Sequence, residues 1–339
     1  MKTLTITRPD DCHLHIRNGE ILRNVLLHTT RQFGRAIIMP NLKPPVTTVS
    51  LALEYRDEIL QAIPNDVNFT PLMTLYLTTA TTIDEIKRAA DCEYIHAVKL
   101  YPAGATTNSD AGVADVTKIY PLLAALEKYD LPLLIHGEVT NEDCDIFDRE
   151  RIFIERYLSA IVANFPALRI VLEHVTMQEA VQFVESASNK IAATITPQHL
   201  LFNRNAILAG GIKPHYYCLP ILKREIHRLA LVKAATSGNP KFFLGTDSAP
   251  HLTHLKENNC GCAGCYSAFA ALELYAEAFE QANALNKLEG FASFYGADFY
   301  GLPRNKDTVT LEKVDWIVPA NYDGITPLKA GEQLHWKMV

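Results

Sequence analysis

No run of apolar residues in this chain approaches the roughly 18 needed to cross a bilayer, and there is no surplus of positive charge to hold a polyanion. Lys and Arg total 32 against 38 Asp and Glu, a formal net charge of -6, so neither a membrane nor a nucleic acid is expected as a partner. The opening stretch, Met1 to Asp11, carries Arg8, Asp10 and Asp11 where a signal peptide needs an apolar core, which makes the cytoplasm the expected location. The seven cysteines cannot all pair within one chain, and reduced thiols are the simpler expectation. Internal repeats, low-complexity tracts and a Pro- or Ser-rich linker are also missing. With 48% hydrophobic and 21% charged residues, the composition excludes a disordered chain.

A length of 339 residues suits two average domains or one α/β barrel. Apolar, β-branched runs occur at Leu4 to Ile6, Arg35 to Met39, Phe69 to Leu77, His96 to Leu100, Leu131 to Ile135, Arg169 to Leu172, Ile191 to Ile195 and Lys241 to Gly245. Helical spacing fills the gaps at Glu20 to Phe33, Ser50 to Ile63, Thr82 to Ala90, Val113 to Tyr129, Phe147 to Phe165, Met177 to Glu185, Leu222 to Ala235 and Ser267 to Leu285. Eight βα units with nearly continuous apolar strands predict a (β/α)8 TIM barrel, a parallel sheet closed on itself and covered by helices. An open doubly wound sheet is disfavoured because its glycine-rich phosphate loop after the first strand is missing. The whole chain, 1–339, is expected to be one barrel domain. Its tail from about Tyr300, with a strand at Val314 to Val318, is expected to pack as a short extension over one end.

Chemistry in such a barrel sits at the carboxyl ends of the strands. Those ends carry His13-Leu14-His15, Lys99, His136, His174 and Asp247. Residues two apart on a strand point the same way, so His13 and His15 can face one ion. Unpaired polar groups are costly when desolvated, and an active-site metal accounts for four histidines and a carboxylate at separate strand ends together. Lys99 is awkward beside cations, so it must be neutral, paired or modified. A carbamate formed with CO2 would turn it into an anionic ligand able to bridge two metals.

With these residues the sequence resembles the amidohydrolase superfamily and, within it, the dihydroorotases of the short bacterial type. The likeness extends along essentially the whole chain. It is carried by Asp10-Asp11-Cys12-His13-Leu14-His15-Ile16-Arg17, Met39-Pro40-Asn41-Leu42, Lys99-Leu100-Tyr101-Pro102, Ala105-Thr106-Thr107-Asn108 and Gly245-Thr246-Asp247-Ser248-Ala249-Pro250-His251. The resemblance implies two Zn2+ ions per chain. His13, His15 and Asp247 would hold the more buried ion and His136 and His174 the more exposed one, with carbamylated Lys99 and a hydroxide bridging them. It implies a substrate grip by Arg17, Asn41 and His251, ring contacts through the backbones of Leu219 and Ala263 with His136 beside them, and a mobile loop tipped by Thr106 and Thr107. It further implies a homodimer, and the small-molecule chemistry of pyrimidine biosynthesis: reversible cyclisation of N-carbamoyl-L-aspartate to L-dihydroorotate.

On that reading the bridging hydroxide attacks the ring carbonyl of dihydroorotate, while Asp247 takes up the proton and passes it to the leaving nitrogen as general acid/base. Arg17 suits a planar carboxylate. The Cys260, Cys262, Cys265 cluster, with His254 as a fourth ligand, is a rival zinc signal; a loop of free thiols is preferred. Phe294-Tyr295 and Phe299-Tyr300 read as packing residues. Two other functions compete. A hydantoinase or allantoinase is expected to build a β-sandwich partly from residues before the His-x-His pair, and only twelve residues precede His13. A non-catalytic barrel scaffold is expected to have lost metal ligands, and none is missing.

Overall fold

The protein is described by a computed structural model covering residues 2–339. Eight parallel strands form one sheet in sequence order: β2 (Asp10–Leu14), β3 (Arg35–Ile38), β4 (Thr70–Tyr76), β5 (Ile95–Leu100), β6 (Leu133–Ile135), β7 (Ile170–Leu172), β8 (Ile191–Ile195) and β9 (Phe242–Leu244). The ends of the sheet meet: Leu14 bridges Ser248 in parallel, Asp247 N–H donates to the His13 carbonyl at 2.9 Å, and His15 N–H donates to that of Ser248 at 3.1 Å. The TIM-barrel expectation holds. Helices fall close to their expected positions, for example Gly19–Thr30, Val49–Ala62 and Ile83–Ala90. The last two start where Thr48 and Thr82 accept the free amides of Leu51 and Glu85 in the first turn.

The period of two along each strand sorts the side chains into two cores. Ala36, Ile38, Leu133, Ile135, Ile170 and Leu172 face the helices. Cys12, Ile37, Leu72, Ala97, Leu134, Val171, Ala192 and Phe243 fill the inside of the barrel, together with Tyr300, and Phe299 packs against them. The Phe299-Tyr300 pair therefore packs, as expected. Two residues further along the same strands, the inner layer turns polar: Thr74, Lys99, His136, Glu173 and Thr194 are all buried. Gly245 belongs to this layer, and a Cβ there would lie 2.7 Å from Thr194 Cβ and 3.0 Å from His13 Cβ.

Two expectations need correction. Leu4 to Ile6 is not a barrel strand. It lies in β1 (Thr3–Thr7), which pairs antiparallel with β10 (Thr308–Ile317), itself paired with β11 (Gln333–Met338), in a separate three-stranded sheet. Thr3–Thr7 alternates apolar with polar residues, as a strand with one wet face does, whereas the true first barrel strand is buried throughout yet written in Asp and His. The tail supplies two strands of that sheet. Its sheet lies along the helix Ala271–Gln281, where Trp336 Nε1–H donates to Glu280 at 3.0 Å and His335 N–H to Glu277 at 2.7 Å. Finally, the helix expected from Val113 begins at Val116, because Val113 N–H is taken by the Tyr101 carbonyl at 2.8 Å and belongs to the loop above the barrel mouth.

Candidate metal centre

Barrel closure decides the site. Joining β9 to β2 puts Asp247 beside the His-x-His pair, with Asp247 Oδ1 3.1 Å from His15 Nε2 and 3.3 Å from His13 Nε2, and the two Nε2 atoms 3.4 Å apart. All three residues are buried, and among the described residues this is the one group of three or more His, Cys, Asp or Glu whose ligand atoms all lie within 4.8 Å of one another. His174 stands next to it, its ring centre 5.0 Å from that of His13, and His136 follows at 4.7 Å from His174. Lys99 is wholly buried, its Nζ 5.0 Å from the centre of the Tyr101 ring and without a hydrogen-bond partner. His174 (φ 42) and Asp247 (φ 46) adopt left-handed backbone at the strand ends, a conformation that persists only where surrounding contacts enforce it.

Electrostatics leaves most of these groups in a form that could bind a metal. Burial lowers the His136 pKa, pushes that of His15 down to about 3 and takes that of His174 well below the usual imidazole range, so their lone pairs are free. Burial and Lys99 also act downward on His13, but Glu173 and Asp247 outweigh them and leave it raised. Burial opposes ionisation of Asp247, yet His13 and His15 hold its carboxyl well below the ordinary range. Burial brings the Lys99 amine down to about 8. Besides Lys99 Nζ, the buried atoms His15 Nδ1, His174 Nδ1, Glu138 Oε1 and Glu173 Oε1 lack partners, an accumulation that native interiors avoid. Nitrogen and carboxylate donors converging among buried, uncompensated groups fit a borderline-soft divalent cation.

The residues expected to grip a substrate gather on the same mouth. Arg17 Nε–H donates to the Pro250 carbonyl at 3.3 Å and its Nη2 lies 3.1 Å from His251 Nε2, while the buried Nη1 has no partner. A guanidinium kept from water with one face free is a receptor for an anion. The loop bearing Thr106 and Thr107 lies across the mouth. Thr107 Oγ1–H donates to the Ala263 carbonyl at 3.2 Å, Asn41 Nδ2–H to the Thr107 carbonyl at 3.1 Å, and Asn108 Nδ2–H to that of Asn41 at 3.0 Å. His251 Nε2 lies 3.1 Å from the Ala263 carbonyl. Gly264 N–H donates to the Tyr217 carbonyl at 3.0 Å, so the segment leading to half-buried Leu219 runs beside Ala263. Cys260 is exposed, Cys262 half-buried and Cys265 buried, and all seven cysteines are free thiols.

Sequence reasoning passed over the carboxylates behind the ligands. Glu173 Oε2 lies 2.7 Å from His13 Nδ1 and Glu138 Oε2 lies 2.8 Å from His136 Nε2. Asp11 accepts from His13 N–H at 3.1 Å and from Thr246 N–H at 2.9 Å, locking β2 to β9. The signal was present in the Glu173-His174 and His136-x-Glu138 spacings.

Residues 6–328 match the Amidohydrolase family. The chain is 64% identical over 340 residues to a dihydroorotase of Nitrosococcus oceani, covering 99% of both chains. The structure of a Saccharomyces cerevisiae dihydroorotase in complex with 5-fluoroorotic acid superposes with a TM-score of 0.90 at 35% identity, over 100% of this chain and 99% of that one. The L-hydantoinase (dihydropyrimidinase) of Arthrobacter aurescens gives a TM-score of 0.83 at 16% identity, over 99% of this chain and 83% of that one, a likeness of fold alone.

Proposed function

This chain belongs to the amidohydrolase family, and on that premise we propose that the mouth of its barrel is the site of dihydroorotase chemistry, the reversible closure of N-carbamoyl-L-aspartate to L-dihydroorotate. The chain is a cyclic amidohydrolase with dihydroorotase activity, in keeping with relatives that match it from end to end. The observation that carries the assignment of this site is the meeting of His13, His15 and Asp247 at one end of the barrel, with Arg17, whose buried Nη1 has no partner, two residues beyond His15. A candidate metal-ligand set and an anion receptor lie at the same end of the barrel, as a carboxylated cyclic amide requires.

In our reading His13, His15 and Asp247 would hold one Zn2+ and His136 and His174 a second, with Lys99 as a further ligand. For that role the neutral Lys99 amine adds to CO2: a nitrogen–carbon bond forms, a proton leaves to solvent, and the anionic carbamate replaces an ammonium that burial already disfavours. When bound, such a pair of ions supplies hydroxide at neutral pH and polarises the scissile carbonyl. Asp247 would accept the proton released on attack and return it to the ring nitrogen that departs, and in the biosynthetic direction it would run the same transfer backwards. Arg17 offers paired donors to the substrate carboxylate, with Asn41 and His251 completing the grip. The backbones of Leu219 and Ala263, with His136 nearby, border the ring, and Thr106 and Thr107 cover it and exclude water. The 5-fluoroorotic acid held by the yeast relative, a pyrimidine carboxylate by chemistry, fits this division of labour.

Among the described residues no helix is long and apolar enough to cross a membrane. We place the activity in the cytoplasm, within pyrimidine biosynthesis, and propose a homodimer; exposed Leu208, Ile212, Ile226 and Leu229 offer apolar surface for such contact. Metal analysis combined with a dihydroorotate hydrolysis assay tests the reading. Two zinc ions per chain and turnover of dihydroorotate in preference to hydantoin are expected; full turnover by metal-free protein would overturn it.

A further inference from the structure

Two carboxylates that the chemistry above does not use sit behind two of the histidines. Glu173 and His13, and likewise Glu138 and His136, are each at most 1% exposed, with contacts of 2.7 and 2.8 Å. An ionised carboxylate only accepts, so the ring nitrogen facing it must carry hydrogen and the opposite nitrogen becomes the lone pair. His13 meets Glu173 through Nδ1 and therefore presents Nε2, the atom 3.3 Å from Asp247 Oδ1. His136 meets Glu138 through Nε2 and therefore presents Nδ1. The two rings are set in opposite senses, each by its own acid.

The two supports differ in reach. Thr194 Oγ1 accepts from His174 N–H at 2.7 Å and donates to Glu173 Oε2 at 2.5 Å. One hydroxyl on β8 thus ties the backbone of His174, held at φ 42, to the carboxylate that orients His13. Glu138 makes no comparable second link: among the described residues its carboxylate meets His136 alone, and Oε1, like Oε1 of Glu173, is buried without a partner.

We infer that Glu173, Thr194 and Glu138 are positioning residues of the metal centre with unequal roles: the Glu173–Thr194 pair aligns ligands of both ions, whereas Glu138 aligns a ligand of one. The inference rests on the two-metal reading given above. Supports of this kind are typically worth 10- to 100-fold in metal affinity. Because glutamine keeps the shape and an accepting oxygen but not the charge, affinity should fall in the order Glu, Gln, Leu at each position.

The test is zinc binding to the full chain in competition with a chromophoric chelator, reading stoichiometry and affinity separately from turnover. Wild-type protein is expected to bind two ions tightly. E138L should keep one tight ion and lose the other by roughly 100-fold, and E138Q should weaken that same ion by roughly tenfold. E173L should weaken both ions, with E173Q and T194V intermediate. Thermal melts of the metal-free variants separate loss of fold from loss of orientation, and the near-isosteric glutamine variants carry the test should a leucine variant fail to fold. Wild-type affinities in the glutamine and leucine series, equal effects of E138L and E173L on both ions, or losses that follow melting temperature in place of the side-chain order would overturn the inference. Failure of wild type to bind zinc at all would instead sink the two-metal reading, and this inference with it.

Discussion

Replacing Lys99 by methionine should make the metal-free protein more stable while abolishing its chemistry. The Lys99 amine is buried without a hydrogen-bond partner, and burial moves it from 10.5 in an unfolded chain to about 8. That difference is equivalent to about 3 kcal/mol at about 1.4 kcal/mol per tenfold change in proton affinity. Below pH 8 the folded chain carries a buried ammonium and the penalty is full. Between pH 8 and 10.5 the unfolded state binds the extra proton, so stability rises with pH and the penalty vanishes near the upper limit. Methionine fills a similar volume without charge, and a swap of this kind costs less than about 1.5 kcal/mol in packing. In CO2-free buffer, urea unfolding of metal-stripped protein should therefore show K99M ahead of wild type by about 2 kcal/mol at pH 7, with the gap closing by pH 10.5. Titrations away from Lys99 are common to both proteins and cancel, whereas His13, His136 and His174 lose the downward pull of the Lys99 charge in K99M. A K99M chain less stable than wild type at pH 7, or a gap independent of pH, would refute the claim that this lysine is held ready to lose its proton.

The remaining expectations concern the assembled site. K99A should lose bridged metal and dihydroorotate turnover, with partial recovery on adding small carboxylic acids; full activity without them would remove Lys99 from the bridge. D247N should lower turnover by roughly 10²- to 10⁴-fold, measured at matched metal content, and unchanged turnover would take Asp247 out of proton transfer. R17M removes charge-assisted bonds worth about 1.5–3 kcal/mol, so kcat/KM should fall roughly 10- to 150-fold. Dihydrouracil, which lacks the carboxylate, should be indifferent to that change. G245A places a methyl group 2.7 Å from Thr194 Cβ and 3.0 Å from His13 Cβ. It should cost about 1–3 kcal/mol by denaturant titration and loosen metal retention, and unaltered stability would show that the inner layer yields more easily than the geometry implies.

Local periodicity was enough to reveal most of this protein. Runs such as Ile191–Ile195, alternating with helical spacing, predicted the barrel because a strand buried on both faces and a helix buried on one leave different marks along a few turns of chain. His13 and His15 were legible as a pair for the same reason, since side chains two apart on a strand share a direction. The first barrel strand was not legible: it carries the site, so it reads Asp10, Asp11, Cys12, His13, Leu14, and the apolar run just before it turned out to pair with β10 near the other terminus. Tertiary structure alone brought Asp247 to His15, set Glu173 behind His13 and Glu138 behind His136, and stretched Thr107 across to Ala263. Those contacts depend on how β9 closes onto β2 and on which way each ring turns. Sequence spacing constrains direction along one strand, but which strand lies opposite is settled by hydrogen bonds and packing among residues far apart in the chain.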